Sequence, residues 1–288
     1  MTQDTVLTDE LERTRRAWDD VAVGFDRYGT PTGDWALPEE ALELAGVTHG
    51  TRFLDVASGS GAMSLPAARR GAEVTAVDLS PAMIERLHAR ARDEGLTNVE
   101  GRVMDGHALA FDDASYDVVG SQFGVMLFPD LPRGLREMVR VTRNGGRVVV
   151  VAFAHPSTVE FLTFFLGALR AVVPGFTGLP TDPPPLPFQV ADPRRLEDEM
   201  TAAGLSAVAI EPRAEHLHFT SADHLWQWVT NSNPIGAGLV ADLDDEQRVE
   251  VLQVLDGMLR ERSGGGPGAE LRAQVHVAVG RKAAPGPR

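Results

Sequence analysis

Phe53-Leu54-Asp55-Val56-Ala57-Ser58-Gly59-Ser60-Gly61 is the stretch that decides the fold. Its first part is a short apolar strand carrying an acid, and its second part is a glycine turn that runs into a helical pattern over 62–70. Glycines there let the backbone turn tightly and approach a ligand closely. The amides of the turn and of the helix start then face the ligand's polar end. In a dinucleotide-binding turn that polar end is a pyrophosphate, which a carboxylate in the approach would repel. Asp55 sits in the approach, so a ligand with a positive group nearby, such as an ammonium, fits better.

Outward from this stretch the texture of strand, turn and helix repeats. Strands are expected at 73–77, 99–103, 116–121 and 147–153, with helices at 81–94 and 133–141. Ser80 is a good N-cap for the first of these helices, and Pro81 suits the first helical position. The run Arg147–Phe153 is apolar almost throughout, as expected of a strand buried on both faces. Strands alternating with helices at this spacing argue for a parallel, doubly wound α/β sheet. Before the sheet, Leu11, Trp18, Val21 and Phe25 share a helical face within 8–28, and a short helix follows at 39–45. After Phe153 come an apolar segment at 161–173, a Pro-rich loop at 180–187 and a helix at 196–203. A strand at 206–212 that can continue to Phe219, and helices at 222–230 and 245–262, come next. Four glycines between 264 and 268 then precede a final alternating strand at 271–280.

Composition narrows the function. The chain has 288 residues and a formal net charge of −14, which disfavours a nucleic-acid partner because that binding rests on neutralising phosphates. It has no cysteine, which removes disulfides, thiolate metal sites and a cysteine nucleophile together. Residues 1–16 mix acids and bases, unlike a signal peptide, and no run approaches the roughly 18 apolar residues of a membrane span. A cytoplasmic protein, monomer or homodimer, with no nucleic-acid or membrane partner is expected.

Taken in order, these features resemble the class I S-adenosylmethionine-dependent methyltransferases. The texture is most like the ubiquinone/menaquinone biosynthesis (type 11) small-molecule subgroup. Asp55, Gly59 and Gly61 match the family's first motif, with Ala57 where a glycine is usual. Asp78, with Leu79 beside it, matches the acid that accepts hydrogen bonds from the ribose hydroxyls. Asp105-Gly106 matches the segment that binds the adenine amino group. Gln122, after the fourth strand, matches the lining of the cofactor's amino-acid end, through its backbone. Asn144-Gly145-Gly146 resembles a Pro-Gly-Gly turn with the proline replaced.

The resemblance implies a Rossmann-like, doubly wound seven-stranded sheet, mostly parallel with the last strand antiparallel, plus helical lid insertions. It implies S-adenosylmethionine as cofactor and S-adenosylhomocysteine as product. Residues 1–50 would be an N-terminal helical cap and 51–154 the cofactor-binding core. Residues 155–280 would supply the rest of the sheet and the acceptor lid within the same domain, and 281–288 a disordered tail.

The expected reaction is methyl transfer to a small, apolar or aromatic acceptor at oxygen or carbon, as in small-molecule biosynthesis or secondary metabolism. His155, after the fifth strand at the carboxyl edge where such sheets place their sites, is the candidate base. Tyr28, Trp35, Phe123, Phe164 and Trp228 are the candidate acceptor wall, and no metal is expected: His216 and His218 alternate on one strand face without a third ligand. Two rivals keep the fold. A nicotinamide-dependent oxidoreductase should carry a third glycine where Ser64 stands, and it leaves Asp55 unexplained. A cofactor-binding protein with another activity, such as a cyclisation, or a non-catalytic binding module, is the other class.

Overall fold

The computed structural model describes residues 3–29 and 36–283. In chain order the first elements are α1 (Gln3–Gly24), α2 (Ala36–Ala45), β1 (Arg52–Val56), α3 (Ser64–Arg69), β2 (Glu73–Asp78), α4 (Pro81–Asp93), β3 (Val99–Val103), β4 (Tyr116–Gln122), α5 (Leu131–Val141) and β5 (Thr142–Phe153). The second half adds α6 (Glu160–Val172), α7 (Pro193–Ala202), β6 (Leu205–Phe219), α8 (Ala222–Asn231), α9 (Pro234–Leu239), α10 (Asp245–Ser263) and β7 (Ala269–Lys282). The sheet has seven strands in the order β3-β2-β1-β4-β5-β7-β6. β1 to β5 pair in parallel, and β7 runs antiparallel to both β5 and β6.

Side-chain parity explains why the central strands read as unbroken apolar runs. Val148 and Val150 of β5 point into the core under α5 and α7, while Val149 and Val151 point into the core under α2 and α3. All four are 0 % exposed. Leu54 and Phe53 of β1 divide in the same way. A third cluster lies past the carboxyl edge, where α6, α8 and α10 cover the ends of β6 and β7. Those two strands outrun their neighbour: β5 stops at Phe153, opposite Val275, while β6 and β7 stay paired as far as Phe219 and Ala269.

Local chemistry sets the helix ends. The Ser80 hydroxyl accepts from the Met83 amide at the start of α4, with Pro81 inside the first turn. Asp244 and Gln247 form a reciprocal capping box on α10, which stops at Gly264 in the left-handed conformation.

Several boundaries differ from expectation. α1 stops at Gly24, and Phe25–Gly29 form a wider π turn instead of continuing the helix to residue 28. β5 begins at Thr142, so Asn144-Gly145-Gly146 lies within the strand and not before it. The short helix α9 carries too few residues to show a period and was not foreseen. Arg281 and Lys282, placed by the sequence reading in a disordered tail, are the end of β7. The Lys282 ammonium donates to the Arg140 and Thr142 carbonyls at 3.0 and 2.7 Å, which holds the strand end down. Residues 284–288 and Trp35 lie outside the described residues.

Candidate functional site

A cavity of about 270 Å³ opens at the carboxyl edge of the sheet. At one end its wall is the glycine turn after β1, with Ala57, Ser58 and Gly59. Gly59 takes φ +53°, a left-handed conformation that favours glycine, and a Cβ there would press on the Phe25 ring at 3.0 Å. Its amide donates to Asp78 Oδ2 at 2.9 Å, and the Ser80 amide donates to Asp78 Oδ1 at 2.9 Å. Burial pushes the Asp78 carboxyl up to about 6, against the pull of these two amides. Ala57 also takes a left-handed φ of 56°. Its methyl is accommodated by Gly124 across the cavity mouth, where a Cβ would lie 2.6 Å from that of Ala57.

Asp55 and Gly61 do not line the cavity. Asp55 is 1 % exposed, and the Ser64 hydroxyl of α3 donates to it at 2.6 Å. Burial pushes its carboxyl up to about 7, opposed by that hydrogen bond, with the Asp78 charge adding to the rise. Gly61, at φ +98°, packs against Leu65 and Leu87 and makes the turn into α3. The serine in the place of a third glycine therefore braces the motif acid.

α1 closes this end from above. Leu11, Thr14, Trp18 and Phe25 all line the cavity, with the Trp18 and Phe25 rings 6.0 Å apart and edge-on. Asp19 fixes the helix: its Oδ1 accepts from the Ser80 hydroxyl at 2.5 Å and from the Ala82 amide at 3.3 Å. At its far end α1 meets α8, where Gly24 lies so close to the Asn231 carbonyl that no side chain would fit.

The loop after β3 forms the side wall. Asp105 Oδ1 accepts from the His107 amide at 2.9 Å and lies 2.8 Å from the His107 ring nitrogen Nδ1. Burial raises the Asp105 carboxyl, but the contacts with His107 outweigh it and hold it below the usual range. Arg133 donates to the His107 carbonyl at 2.9 Å. Glu137 accepts from the Leu109 amide at 2.8 Å, and Arg140 donates to the Leu109 and Phe111 carbonyls. Glu137 and Arg140 therefore clamp this loop onto α5.

The far end is apolar. Phe123 stacks on Phe153 at 4.5 Å and 24°, and Phe161 meets Trp228 at 4.5 Å and 65°. Phe188, Leu217 and Ile235 complete the wall. Glu215 breaks it, and Gln122, at the end of β4, lies toward the glycine turn. Gln122 Oε1 and Glu215 Oε1 are both buried without a hydrogen-bond partner among the described residues.

The cavity therefore brings together Ala57, Gly59, Asp78, Leu79, Asp105, Gly106, Gln122, Phe123 and Trp228 of the residues chosen from sequence. It does not bring His155, Tyr28 or Phe164. His155 is exposed, and its ring nitrogen lies 2.8 Å from the Ser157 hydroxyl in the short turn at Pro156–Thr158. Tyr28 sits beside His224 at 6.5 Å, and Phe164 packs half-buried among the covering helices. His216 faces Glu270 at 2.8 Å on the outer side of the sheet. Glu215 was missed, although a signal existed. Leu217 and Phe219 are inward positions of the same strand, and two-residue periodicity makes Glu215 inward as well.

Known proteins bear on this geometry. Residues 54–150 match a family model described as a methyltransferase domain. The chain is 30 % identical over 200 residues to a demethylmenaquinone methyltransferase of Renibacterium salmoninarum, covering 69 % of this chain and 76 % of that protein. It is 38 % identical over 162 residues to an uncharacterized protein of Mycobacterium tuberculosis, and there it spans 53 % of this chain and 57 % of that relative's length. The fold is shared with the [4+2]-cyclase SpnF at a TM-score of 0.59 and 17 % identity, over 96 % of this chain and 97 % of that one. No described helix is long and apolar enough to cross a membrane. The matched family model, the 76 % coverage of the menaquinone-pathway relative and the sheet order agree, and the chain belongs to the class I S-adenosylmethionine-dependent methyltransferases, in the type 11 subgroup.

Proposed function

We propose that the protein transfers a methyl group from S-adenosylmethionine to a small, largely apolar or aromatic metabolite, at oxygen or carbon, by in-line displacement. The observation that carries this reading is the continuity of the cavity. One space runs from the Asp78 and Asp105 loops to a wall of Phe123, Phe153, Phe161 and Trp228. The residues present suit the cofactor: a left-handed glycine turn tight beneath Phe25, and acids at the ends of two adjacent strands.

When bound, S-adenosylmethionine supplies an electrophilic methyl group on a cationic sulfur. Asp78, its carboxylate already oriented by two backbone amides, holds the ribose hydroxyls. Asp105, fixed by His107, holds the adenine edge, and the segment 122–124 faces the junction with the acceptor. Alignment of the two reactants can supply roughly 7–11 kcal/mol of barrier lowering, so no covalent enzyme intermediate is needed. The acceptor wall keeps water from the reacting centre. The net charge of −14 favours a small metabolite over a nucleic acid as acceptor.

Titration calorimetry with S-adenosylmethionine and S-adenosylhomocysteine on wild type and Asp78→Ala tests the reading. Loss of a charged acceptor for the ribose hydroxyls is expected to cost about 3 kcal/mol, roughly a hundredfold in affinity. Circular dichroism confirms that both proteins are folded. A folded wild type that binds neither compound overturns the proposal.

A further inference from the structure

Glu215 is a carboxylate built into an apolar wall. It stands on β6 opposite Ala273, two positions beyond Val275, the residue that pairs with Phe153 at the end of β5. It therefore rises roughly 7 Å past the edge of the central sheet, at a strand's rise per residue. It is 7 % exposed, and together with Leu217, Trp228 and Phe161 it lines the cavity. Its Oε1 has no hydrogen-bond partner among the described residues. Burial lifts its carboxyl to about 7, with the His216 charge opposing the rise and the Glu40 charge adding to it. The nearest guanidinium on its strand, that of Arg213, is already paired with Glu211 and Glu40.

A buried acid without a partner is costly, and it persists where a ligand completes it. We propose that Glu215 is the specificity-determining anchor of the acceptor site and accepts a hydrogen bond from a hydroxyl group on a flat, otherwise apolar acceptor. This deepens the methyl-transfer reading and rests on it. The other orphaned acceptor, Gln122 Oε1, ends β4 beside the glycine turn and belongs to the cofactor end. Beside Trp228, Ser232 donates its hydroxyl to the Trp228 carbonyl and Asn233 Oδ1 accepts from the Gly236 amide, which leaves Glu215 as the open carboxylate among the aromatic residues. A quaternary ammonium fits this wall less well. Cation recognition uses ring faces turned to one point, whereas Phe123 and Phe153 turn their faces on each other and Phe161 meets Trp228 nearly edge-on.

The test is calorimetry on S-adenosylhomocysteine-saturated protein with two probes, 2-naphthol and 2-methoxynaphthalene. They share a ring system and differ in the hydroxyl hydrogen. Wild type is expected to bind 2-naphthol at least about tenfold more tightly than its ether. Glu215→Leu is expected to bring 2-naphthol down to the level of the ether while affinity for the ether and for S-adenosylhomocysteine stays as in wild type. Glu215→Gln, which keeps a neutral acceptor, is expected to fall between the two. Equal binding of the two probes by wild type, binding of neither, or a preference that survives Glu215→Leu overturns the proposal. Failure of S-adenosylhomocysteine itself to bind is a separate outcome and strikes the methyl-transfer reading beneath it.

Discussion

The two ends of the cavity are built on opposite principles. The cofactor end is made of short loops at consecutive strand ends, and its carboxylates are held within the protein: Asp78 by two amides, Asp105 by His107, and Asp55 behind them by Ser64. The proposed acceptor end is made of Phe123 and of side chains from α6, α8, β6 and the loop around Phe188, and one of its polar atoms, Glu215 Oε1, is left open. A preorganised polar cradle suits a ligand that never changes. An apolar wall with one open acceptor suits a ligand that differs from enzyme to enzyme. Cofactor recognition and acceptor choice are thereby separable within one fold.

The comparison can be broken at several points. The largest effect is expected in the helical cluster that carries the acceptor wall. Phe165 is fully buried there, against Trp226 at 5.6 Å. Phe165→Ala is expected to cost about 3–5 kcal/mol in a denaturant titration. If the two ends are separable, the folded fraction keeps its affinity for S-adenosylhomocysteine. A smaller effect is expected at the seam between them. Gly124→Ala would press a methyl against Ala57, and overpacking of this kind costs about 1–3 kcal/mol. Ala57→Gly in the same chain is expected to recover part of the lost thermal stability, because the Ser121 hydroxyl oxygen at 2.8 Å and the Ala57 carbonyl oxygen at 3.0 Å still meet the new methyl, and a double-mutant cycle reads the coupling. Additive effects would mean that the two loops are not in register as described. The smallest effect is expected at His155, whose ring serves its own turn. His155→Ala is expected to change stability and cofactor affinity by less than about 0.5 kcal/mol, and a large loss of turnover would return it to the site.

Legibility follows the same division. Asp55, Asp78 and Asp105 lie close in sequence, and each stands at or just past a strand end, so motif and spacing suffice to find them. The burial of Asp55 behind the turn, away from the cavity that Asp78 lines, was not legible. Whether an acid faces the ligand or is buried behind the turn depends on Ser64, which a spacing argument treats only as a missing glycine. At the acceptor end the deciding facts are phases. Phe161 faces the cavity and Phe164, three residues along α6, falls among the covering helices, because the phase of α6 is set by its packing on α10 and β7. Glu215 needs the register of β6 against β7, whose contact crosses about fifty residues of helix and loop between Phe219 and Ala269. His155 misled for a related reason: a place at the carboxyl edge fixes a backbone position and leaves the ring free to cap Ser157.

Ser80 caps α4 and holds Asp19, and these are two uses of one hydroxyl. Its oxygen accepts the Met83 amide that starts α4, and its hydrogen goes to α1. With Leu11, Trp18 and Phe25 lining the cavity, a cofactor seated in the proposed way lies under a helix that this hydrogen bond ties to α4. Lifting of α1 before product release would make residence time a property of a helix detaching from a serine, and turnover would then report a hinge rate rather than the speed of bond exchange at sulfur.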